Sequence, residues 1–456
     1  MKKIRFYLAL WTAKAIRTLM RLLGRNATYL PGMMAVKICP DFMGQLMLPK
    51  TVIAVTGTNG KTTVSNLLTS ILTKNGYSVT NNSLGSNVQG AIATTLLADS
   101  DLLGRAKKDI AVLEVDERSS LLVYPYVKPD YLMCNNIMQD SIKRNAHTDF
   151  IRFIINKGLP ASTKLILNGD DPICASLGST DADCTYFGIS AEKPQVSGAP
   201  TSDIVYCPRC GAKLETQYLR YDHIGKTTCP ACGLGKADPD FLVTSIDRQN
   251  NTFTVTHDGK AEEFTLLNGN IVNIYNICAA IAVLTRLGLS YEQISEGLFK
   301  NSIVKSRYDQ LYAGDLRITM QMAKGLNPIA CTQGFQYVAS CEGEKKGLII
   351  LIDDKRENIG DSENVCWQYD CDYSPLADAS ISQIVFAGPR CKDHYLRALL
   401  AGVPEEKIRQ TSVTTDGAEV IDLSLSKDLY VLYDNYALED AEAIRNKLMQ
   451  YGMEGR

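Results

Sequence analysis

Lys61 closes the run Thr56-Gly57-Thr58-Asn59-Gly60-Lys61-Thr62-Thr63, and these residue types at this spacing fit the handling of phosphate. Glycines let backbone N–H groups turn together onto an anion at a helix N-terminus. A lysine at the turn reaches the β- and γ-phosphates, and the hydroxyl that follows it, on Thr62, suits a Mg²⁺ ion. The elements that must position such a turn are present. Val52-Ile53-Ala54-Val55 reads as a buried parallel strand, and Leu67, Leu68 and Leu72 continue a helical pattern after Lys61. Strand before and helix after separate this turn from a chance Gly-Lys-Thr. Nucleotide binding through Gly57, Thr58, Asn59, Gly60, Lys61, Thr62 and Thr63 is therefore expected.

Three further segments repeat the pattern of strand followed by polar residues. Asp109-Ile110-Ala111-Val112-Leu113-Glu114-Val115-Asp116-Glu117 ends in carboxylates, and in open α/β sheets ligands collect at the carboxyl ends of strands. Glu114 or a neighbour is placed to hold Mg²⁺ beside Thr62; a solvated strand end is the alternative. Tyr131 to Ile137 with Asp140, and Lys164 to Leu167 with Asn168-Gly169-Asp170-Asp171-Pro172, behave alike. Asn273 and Asn276 lie three apart on one helix face, where amides either read an adenine edge or cap the preceding loop.

A second constellation is made of sulfur. Cys207-Pro208-Arg209-Cys210 and Cys229-Pro230-Ala231-Cys232 are separated by 18 residues, and each pair is followed by a glycine, Gly211 or Gly233. This is zinc-ribbon spacing, and four thiolates close the coordination shell, so the metal is expected to be structural. The ribbon should occupy about residues 203–238. A redox role for the pairs is the competing reading. The other ten of the 14 cysteines are scattered, several in apolar stretches (Cys174, Cys278, Cys331), where thiols act as small hydrophobes. Without a secretion signal, a reducing cytoplasm is the expected setting.

At 456 residues the chain should fold as two or three domains. Its 48 basic residues against 50 acidic ones, and a pI near 6.2, argue against a nucleic-acid partner. The start of the chain looks at first like a signal sequence. Yet Arg5, Lys14 and Arg17 interrupt the apolar run and no small-residue cleavage site follows. A basic amphipathic helix over roughly residues 3–23 fits better, either packed on the domain behind it or lying on a membrane surface. No transmembrane helix is expected. Gly347–Ile352, Ile384–Ala387 and Leu429–Leu432 alternate with helical stretches and announce a second parallel sheet.

Taken together, the motifs resemble those of the Mur ligases. Gly57-Thr58-Asn59-Gly60-Lys61-Thr62 is similar to their G-T-N-G-K-[ST] loop, Asn168 to Pro172 to their N-x-D-D-P loop, and Asn273 with Asn276 to Ala280 to their N-x-x-N-x-x-A-A helix. A ribbon between the last two motifs narrows the resemblance to the MurT branch, the ligase subunits of lipid II isoglutaminyl synthase. Leu113-Glu114-Val115-Asp116-Glu117 and Gly388-x-Arg390-x-x-Asp393-x-x-x-Arg397 look like further motifs of that branch. The chain departs from the family pattern at Asp140-Ser141, Ser306-Arg307-Tyr308-Asp309, Lys324 to Pro328 and Asp434 to Ala437, so the C-terminal third is the divergent part.

The resemblance implies an α/β fold in three parts: an N-terminal helical segment at 1–47, a central ATP-binding domain at 48–305 with a parallel sheet and the inserted ribbon, and a C-terminal Rossmann-like domain at 306–456. It implies ATP, Mg²⁺ and Zn²⁺, with Arg307 meeting phosphate. It also implies phosphorylation of the D-glutamate α-carboxylate of the lipid II stem peptide, followed by attack of ammonia to give D-isoglutamine. Lys61 and Glu114 would serve the phosphoryl transfer. The ammonia would come from a separate GatD-like glutaminase subunit, since no G-x-C-x-G elbow is present and His147, His223, His257 and His394 sit in no triad-like context. Within Asp361 to Tyr373, Asp361 is the aspartate expected to complete that partner's Cys-His pair, although Asp370 and Asp372 are also available. Peripheral contact with a membrane-bound substrate follows from the same resemblance. The competing functions are an amino-acid-adding ligase of the Mur or folylpolyglutamate type and a nucleotide-binding scaffold without catalysis.

Overall fold

The structure is a computed structural model that describes residues 2–83, 86–139, 147–179, 181–191, 204–266, 270–299, 308–323, 327–352, 365–434 and 436–455. The chain forms two compact units. The first comprises Met1–Met138 with His147–Ser302, and the second Gln139–Ala146 with Ile303–Arg456.

In the first unit the described strands are β1 (Thr51–Thr56), β2 (Val79–Asn81), β3 (Ile110–Glu114), β4 (Tyr131–Cys134), β5 (Lys164–Asn168), β6 (Cys184–Ile189), β7 (Glu215–Tyr221), β8 (Ile224–Thr228), β9 (Phe241–Asp247), β10 (Thr252–His257) and β11 (Lys260–Thr265). All but β7 and β8 join one sheet in the order β11-β10-β9-β6-β5-β4-β1-β3-β2. From β9 to β2 the strands run parallel, and only β10 and β11 turn back. β1 is central, with five of its six residues buried, which is why its sequence is a continuous apolar run rather than an alternating one. A strand between two parallel neighbours delivers its C-terminal end to the rim where parallel α/β sheets bind ligands.

The helices around this sheet are α1 (Lys2–Leu22), α2 (Leu30–Ile38), α3 (Lys61–Lys74), α4 (Gln89–Ala98), α5 (Thr148–Gly158), α6 (Ile271–Arg286) and α7 (Tyr291–Phe299), with shorter turns between them. α6 is buried continuously from Ile274 to Leu284, as expected of a helix apolar nearly all round. The N-terminal helices share the core of the sheet. Phe6, Ala9, Leu10 and Ala13 of α1 and Ala35 of α2 pack with Val52, Ile92 and Leu113. Leu30-Pro31-Gly32 starts α2, and Gly32 is there because a Cβ would stand 2.1 Å from the Gly90 carbonyl oxygen; its N–H donates to Thr94 Oγ1 at 2.8 Å. Among the described residues no helix is long and apolar enough to cross a membrane.

The second unit holds β12 (Tyr308–Ala313), β13 (Leu316–Met322), β14 (Lys346–Leu351), β15 (Ile381–Ala387), β16 (Ile408–Thr411) and β17 (Asp428–Tyr433), in the order β12-β13-β17-β14-β15-β16. The sheet is parallel apart from the β12–β13 hairpin. Its helices α8 (Pro328–Ser340), α9 (Cys391–Leu400) and α10 (Leu438–Glu454) contribute to separate apolar clusters, the first two with Leu348 and Phe386, the third with Ile349 and Val431. Lys346 is fully buried and donates to the carbonyls of Val338, Ala339 and Cys341, which satisfies the C-terminal end of α8.

Candidate phosphate site and four-cysteine cluster

The turn after β1 is held open by the strands beside it. Gly60 takes φ 88°, and a Cβ there would meet Asn276 Oδ1 at 2.1 Å and Asn135 Nδ2 at 2.6 Å, so only glycine fits. The backbone N–H of Asn59 donates to Asn136 Oδ1 at 2.9 Å, and that of Thr58 to the Asn136 carbonyl at 2.9 Å. Asn135 Nδ2 donates to Asn276 Oδ1 at 2.6 Å and to the Asn59 carbonyl at 3.2 Å, while Asn168 Nδ2 donates to the Asn135 carbonyl at 2.9 Å. Amides at the ends of β4 and β5 and on α6 thus brace the turn from behind. Asn276 takes part in that bracing through Oδ1, and the cap of α6 is Asn270, whose side chain accepts from Val272 N–H at 2.9 Å. Asn273 lies half-buried one turn earlier.

Lys61 begins α3 at the lip of the turn. Its ammonium donates to Glu117 Oε1 at 2.9 Å and to the carbonyls of Gly57 and Thr58. Burial works against its charge, but Glu117, with Glu114 and Asp116 behind it, outweighs burial and raises the pKa. The lysine is therefore held charged and aimed along the turn. Glu117 was legible only as one carboxylate of a strand end. Its role as the partner of Lys61 has no signal in spacing, because the 3₁₀ turn Glu117–Ser119, capped by Asp116 accepting from Arg118 and Ser119 N–H, swings it back towards the turn.

Thr62 and Glu114 come together as expected for a shared cation: Thr62 Oγ1 donates to Glu114 Oε2 at 2.9 Å. Glu114 is oriented by Asn87 Nδ2 at 3.2 Å, and Asn82 grips its backbone, accepting from its N–H at 2.8 Å and donating to its carbonyl at 2.9 Å. A hydroxyl and a carboxylate in contact at a helix start are the hard oxygen donors that Mg²⁺ prefers. Arg307, Asp361 and Asp140 lie outside the described residues.

The four cysteines form one cluster, with all four Sγ atoms within 4.8 Å of one another. Cys207 and Cys232 approach to 3.6 Å and Cys210 and Cys229 to 3.5 Å. A tetrahedral ion with bonds near 2.3 Å separates its sulfurs by about 3.8 Å, so the set fits such an ion. The two knuckles match: Gly211 N–H donates to Cys207 O and Gly233 N–H to Cys229 O, with φ of 76° and 74° at the glycines. Apart from the thiols, the ribbon's core is little more than Leu214 and Leu234.

The β7–β8 hairpin carries the ribbon back to the phosphate domain. At its tip Asp222 takes φ 48° and His223 is buried. His223 Nε2 lies 3.2 Å from Asp171 Oδ1 and Nδ1 lies 3.2 Å from Asp222 Oδ2, and Gly225 N–H donates to the Asp170 carbonyl at 2.9 Å. Burial opposes protonation of the imidazole, but the two carboxylates prevail and push its pKa up to about 10. Asp171 Oδ2 in turn accepts from Ile137 N–H at 2.8 Å, next to the Asn135-Asn136 pair that braces the turn. No sequence spacing joins His223 to Asp171, 52 residues away.

Residues 55–284 match the family model of the Mur ligase middle domain, and residues 325–438 that of the MurT ligase C-terminal domain. The chain is 30% identical over 420 residues to the lipid II isoglutaminyl synthase (glutamine-hydrolyzing) subunit MurT of Streptococcus pneumoniae, covering 90% of each chain. It is 29% identical over 439 residues to the subunit of the same name from Staphylococcus aureus, covering 95% of this chain and 96% of that one. Among solved structures, a pseudomurein peptide ligase type C from Methanothermus fervidus shares the fold, with a TM-score of 0.65 and 22% identity over 90% of this chain and 81% of that one. With its phosphate turn, its four-cysteine insertion and near end-to-end similarity to these relatives, the chain belongs to the Mur ligase family, in its MurT branch.

Proposed function

We propose that this chain is the ATP-dependent synthetase half of a glutamine-dependent amidotransferase, converting the D-glutamate α-carboxylate of the lipid II stem peptide to D-isoglutamine. The observation that carries this is the Lys61 turn, with a charged lysine and a Thr62–Glu114 oxygen pair facing the same helix start. A carboxylate is a poor acyl donor until one of its oxygens becomes phosphate. Transferring that phosphate requires charge neutralisation and in-line positioning rather than a protein nucleophile. Lys61 supplies fixed positive charge to the β- and γ-phosphates. Thr62 and Glu114 would hold Mg²⁺, which neutralises charge on the nucleotide. The acyl phosphate formed is then attacked by ammonia, expelling phosphate and leaving the amide.

Ammonia would reach this chain from a separate glutaminase subunit, in keeping with the relatives' description as glutamine-hydrolysing synthase subunits. Asp361 remains the residue proposed to complete that partner's catalytic pair, and Arg307 and Asn273 the proposed additional nucleotide contacts. The cluster of Cys207, Cys210, Cys229 and Cys232 is assigned to structural Zn²⁺, as four sulfur donors leave no open position for catalysis. The cytoplasm is the proposed compartment, where both ATP and reduced thiols are found.

The test is Lys61→Ala with the glutaminase subunit present. ATP-dependent amidation should fall at least about a thousandfold, on the scale seen when a charge that acts on the transferred phosphate is removed. Folding and bound zinc should be retained; unchanged amidation would overturn the assignment. Product mass separates amidation from peptide extension, because exchanging hydroxyl for amino hardly alters mass whereas extension adds a residue.

A further inference from the structure

Helix α1 has two apolar faces, and the fold uses one. Phe6, Ala9, Leu10 and Ala13 are buried in the first unit's core, where the Phe6 ring stacks on Phe42 at 5.5 Å. Around the helix from them, Ile4, Leu8, Trp11, Ala15, Leu19 and Leu22 recur at spacings of four, three, four, four and three residues, a single stripe at helical period. All six are exposed, from 54% for Trp11 to 80% for Leu22 among the large ones. Leu102 and Leu103 widen the stripe, since Trp11 Nε1 donates to the Leu102 carbonyl at 3.0 Å and both leucines are themselves exposed. Single exposed leucines are ordinary on protein surfaces, but a contiguous stripe marks an interaction surface.

Charge identifies the partner. Residues 1–40 contain eight lysines and arginines and no aspartate or glutamate; the rest of the chain then holds 40 of the 48 basic residues against all 50 acidic ones. Folding employs part of this charge: the Lys14 ammonium donates to the carbonyls of Leu97 and Ser100 at 2.6 and 2.8 Å, closing the end of α4. Lys3 and Arg21 stand exposed on one flank of the stripe and Arg5 on the other, and Arg25 is exposed just beyond the helix. A second copy of the chain would bring like charges together. An anionic bilayer presents the opposite charge and an apolar interior at the depth this stripe would reach.

We propose that the outer face of α1 is a docking surface for anionic phospholipid, with the helix lying in the headgroup plane and Ile4, Leu8, Trp11, Leu19 and Leu22 turned to the acyl chains. Charges every few residues keep the helix on the membrane rather than through it. The inference does not depend on the amidation reading, though a lipid-linked acceptor at the same surface gives the docking a use.

The test is flotation of the full chain, alone and in complex with its glutaminase subunit, with phosphatidylcholine vesicles and with vesicles containing about one-third phosphatidylglycerol, a content that gives the strongly negative surface basic segments seek. Binding should be at least about tenfold tighter to the anionic vesicles and should weaken as salt is raised. The variant Leu8→Gln/Leu19→Gln/Leu22→Gln, which spares the buried face, should lose at least about tenfold in vesicle affinity while melting as the parent does. Three results would overturn the proposal: no flotation at low salt, equal flotation of the triple variant, or a concentration-dependent dimer that the triple variant abolishes. Flotation lost only in the complex would also overturn it, by giving the face to the glutaminase. Vesicle binding is read without turnover. A complex that fails to bind vesicles yet amidates a soluble acceptor sinks this inference alone, and one that binds but never amidates sinks only the amidation reading.

Discussion

The two units bury a histidine each, and they treat it in opposite ways. His223 lies between Asp171 and Asp222, and its pKa is driven up to about 10 despite burial. His394 is also buried, but it faces Tyr373 OH at 2.6 Å through Nδ1 and the Ile352 carbonyl at 2.5 Å through Nε2, with the Phe386 ring stacked 5.4 Å away. Burial here dominates and drops its pKa to about 4. The first unit thus keeps charge inside and pairs it, as it does again with Lys61 and Glu117. At His394 the second unit excludes charge and relies on a neutral tautomer whose N–H and lone pair both find partners. The difference follows from their surroundings. Two carboxylates in contact with His223 hold its charge, while at His394 the pull of Asp393 is too weak to offset burial.

Removing the zinc proposed for the four-cysteine cluster should give the largest separation between the units. Structural zinc in small peptides is worth on the order of 10–16 kcal/mol, and the ribbon has almost no other core. Chelation, or Cys207→Ser, should unfold residues 204–238 and pull His223 from Asp171. Hydrogen exchange resolved by segment should show loss of protection in the ribbon, a smaller loss at Ile137, and none in β14 or β15. Equal loss in both units would break the comparison.

His223→Ala should come next. It leaves the buried Asp171 carboxylate without its countercharge, which costs on the order of 3–5 kcal/mol in the first unit. His394→Phe leaves no charge behind and should cost about 1–3 kcal/mol in the second, mainly for the stranded Tyr373 hydroxyl and Ile352 carbonyl. Denaturant titrations of each variant, with magnesium-ATP affinity measured in parallel, test the ordering. Only His223→Ala should weaken nucleotide binding, because only Asp171 reaches the loop that braces the turn. If His394→Phe proved the costlier change, the contrast between paired and excluded charge would be wrong.

The parts of this molecule that were legible in its sequence are those where chemistry is local. The phosphate turn reads from eight consecutive residues, because strand, glycines and helix start are neighbours in the chain. The cysteine cluster reads from two matched knuckles, each closed by its own glycine. The parallel sheets read from continuous apolar runs at β1, β3, β14 and β15. What stayed hidden is what the fold brings together from afar. Glu117 reaches Lys61 across 56 residues and Asn276 reaches Asn135 across 141, and a polar side chain satisfied by a distant partner leaves no periodic trace. The antiparallel return of β10 and β11 did leave a local signal, the Asp258-Gly259 pair whose φ of 49° and 75° closes the hairpin between His257 and Lys260. The outer face of α1 was readable as amphipathic, yet which face the core would take depended on Phe42 and Leu113, which no local pattern connects to it.

The narrowest comparison sets the two histidines directly against each other. A histidine whose folded pKa is raised contributes stability that is complete below its unfolded value near 6.5 and is lost as pH climbs through the folded value, so His223 should cost the first unit stability between about pH 6.5 and 10. A histidine whose folded pKa is lowered behaves oppositely. Below about pH 6.5 the unfolded chain binds a proton that the folded chain refuses until about pH 4, so His394 should cost the second unit on the order of 2–4 kcal/mol across that window. The chain has two tryptophans, Trp11 in the first unit and the buried Trp367 in the second, 6.4 Å from the His394 ring. Denaturant curves of Trp11→Phe, which leaves Trp367 as the reporter, should shift to lower midpoints from pH 6.5 to 4.5, and adding His394→Phe should remove most of that shift. Carboxylates that protonate in the same range act on both proteins alike, so the difference between the two curves isolates the imidazole. A shift that survives His394→Phe undiminished would mean that acid weakens the second unit through its carboxylates, and that the neutral histidine carries no cost of its own.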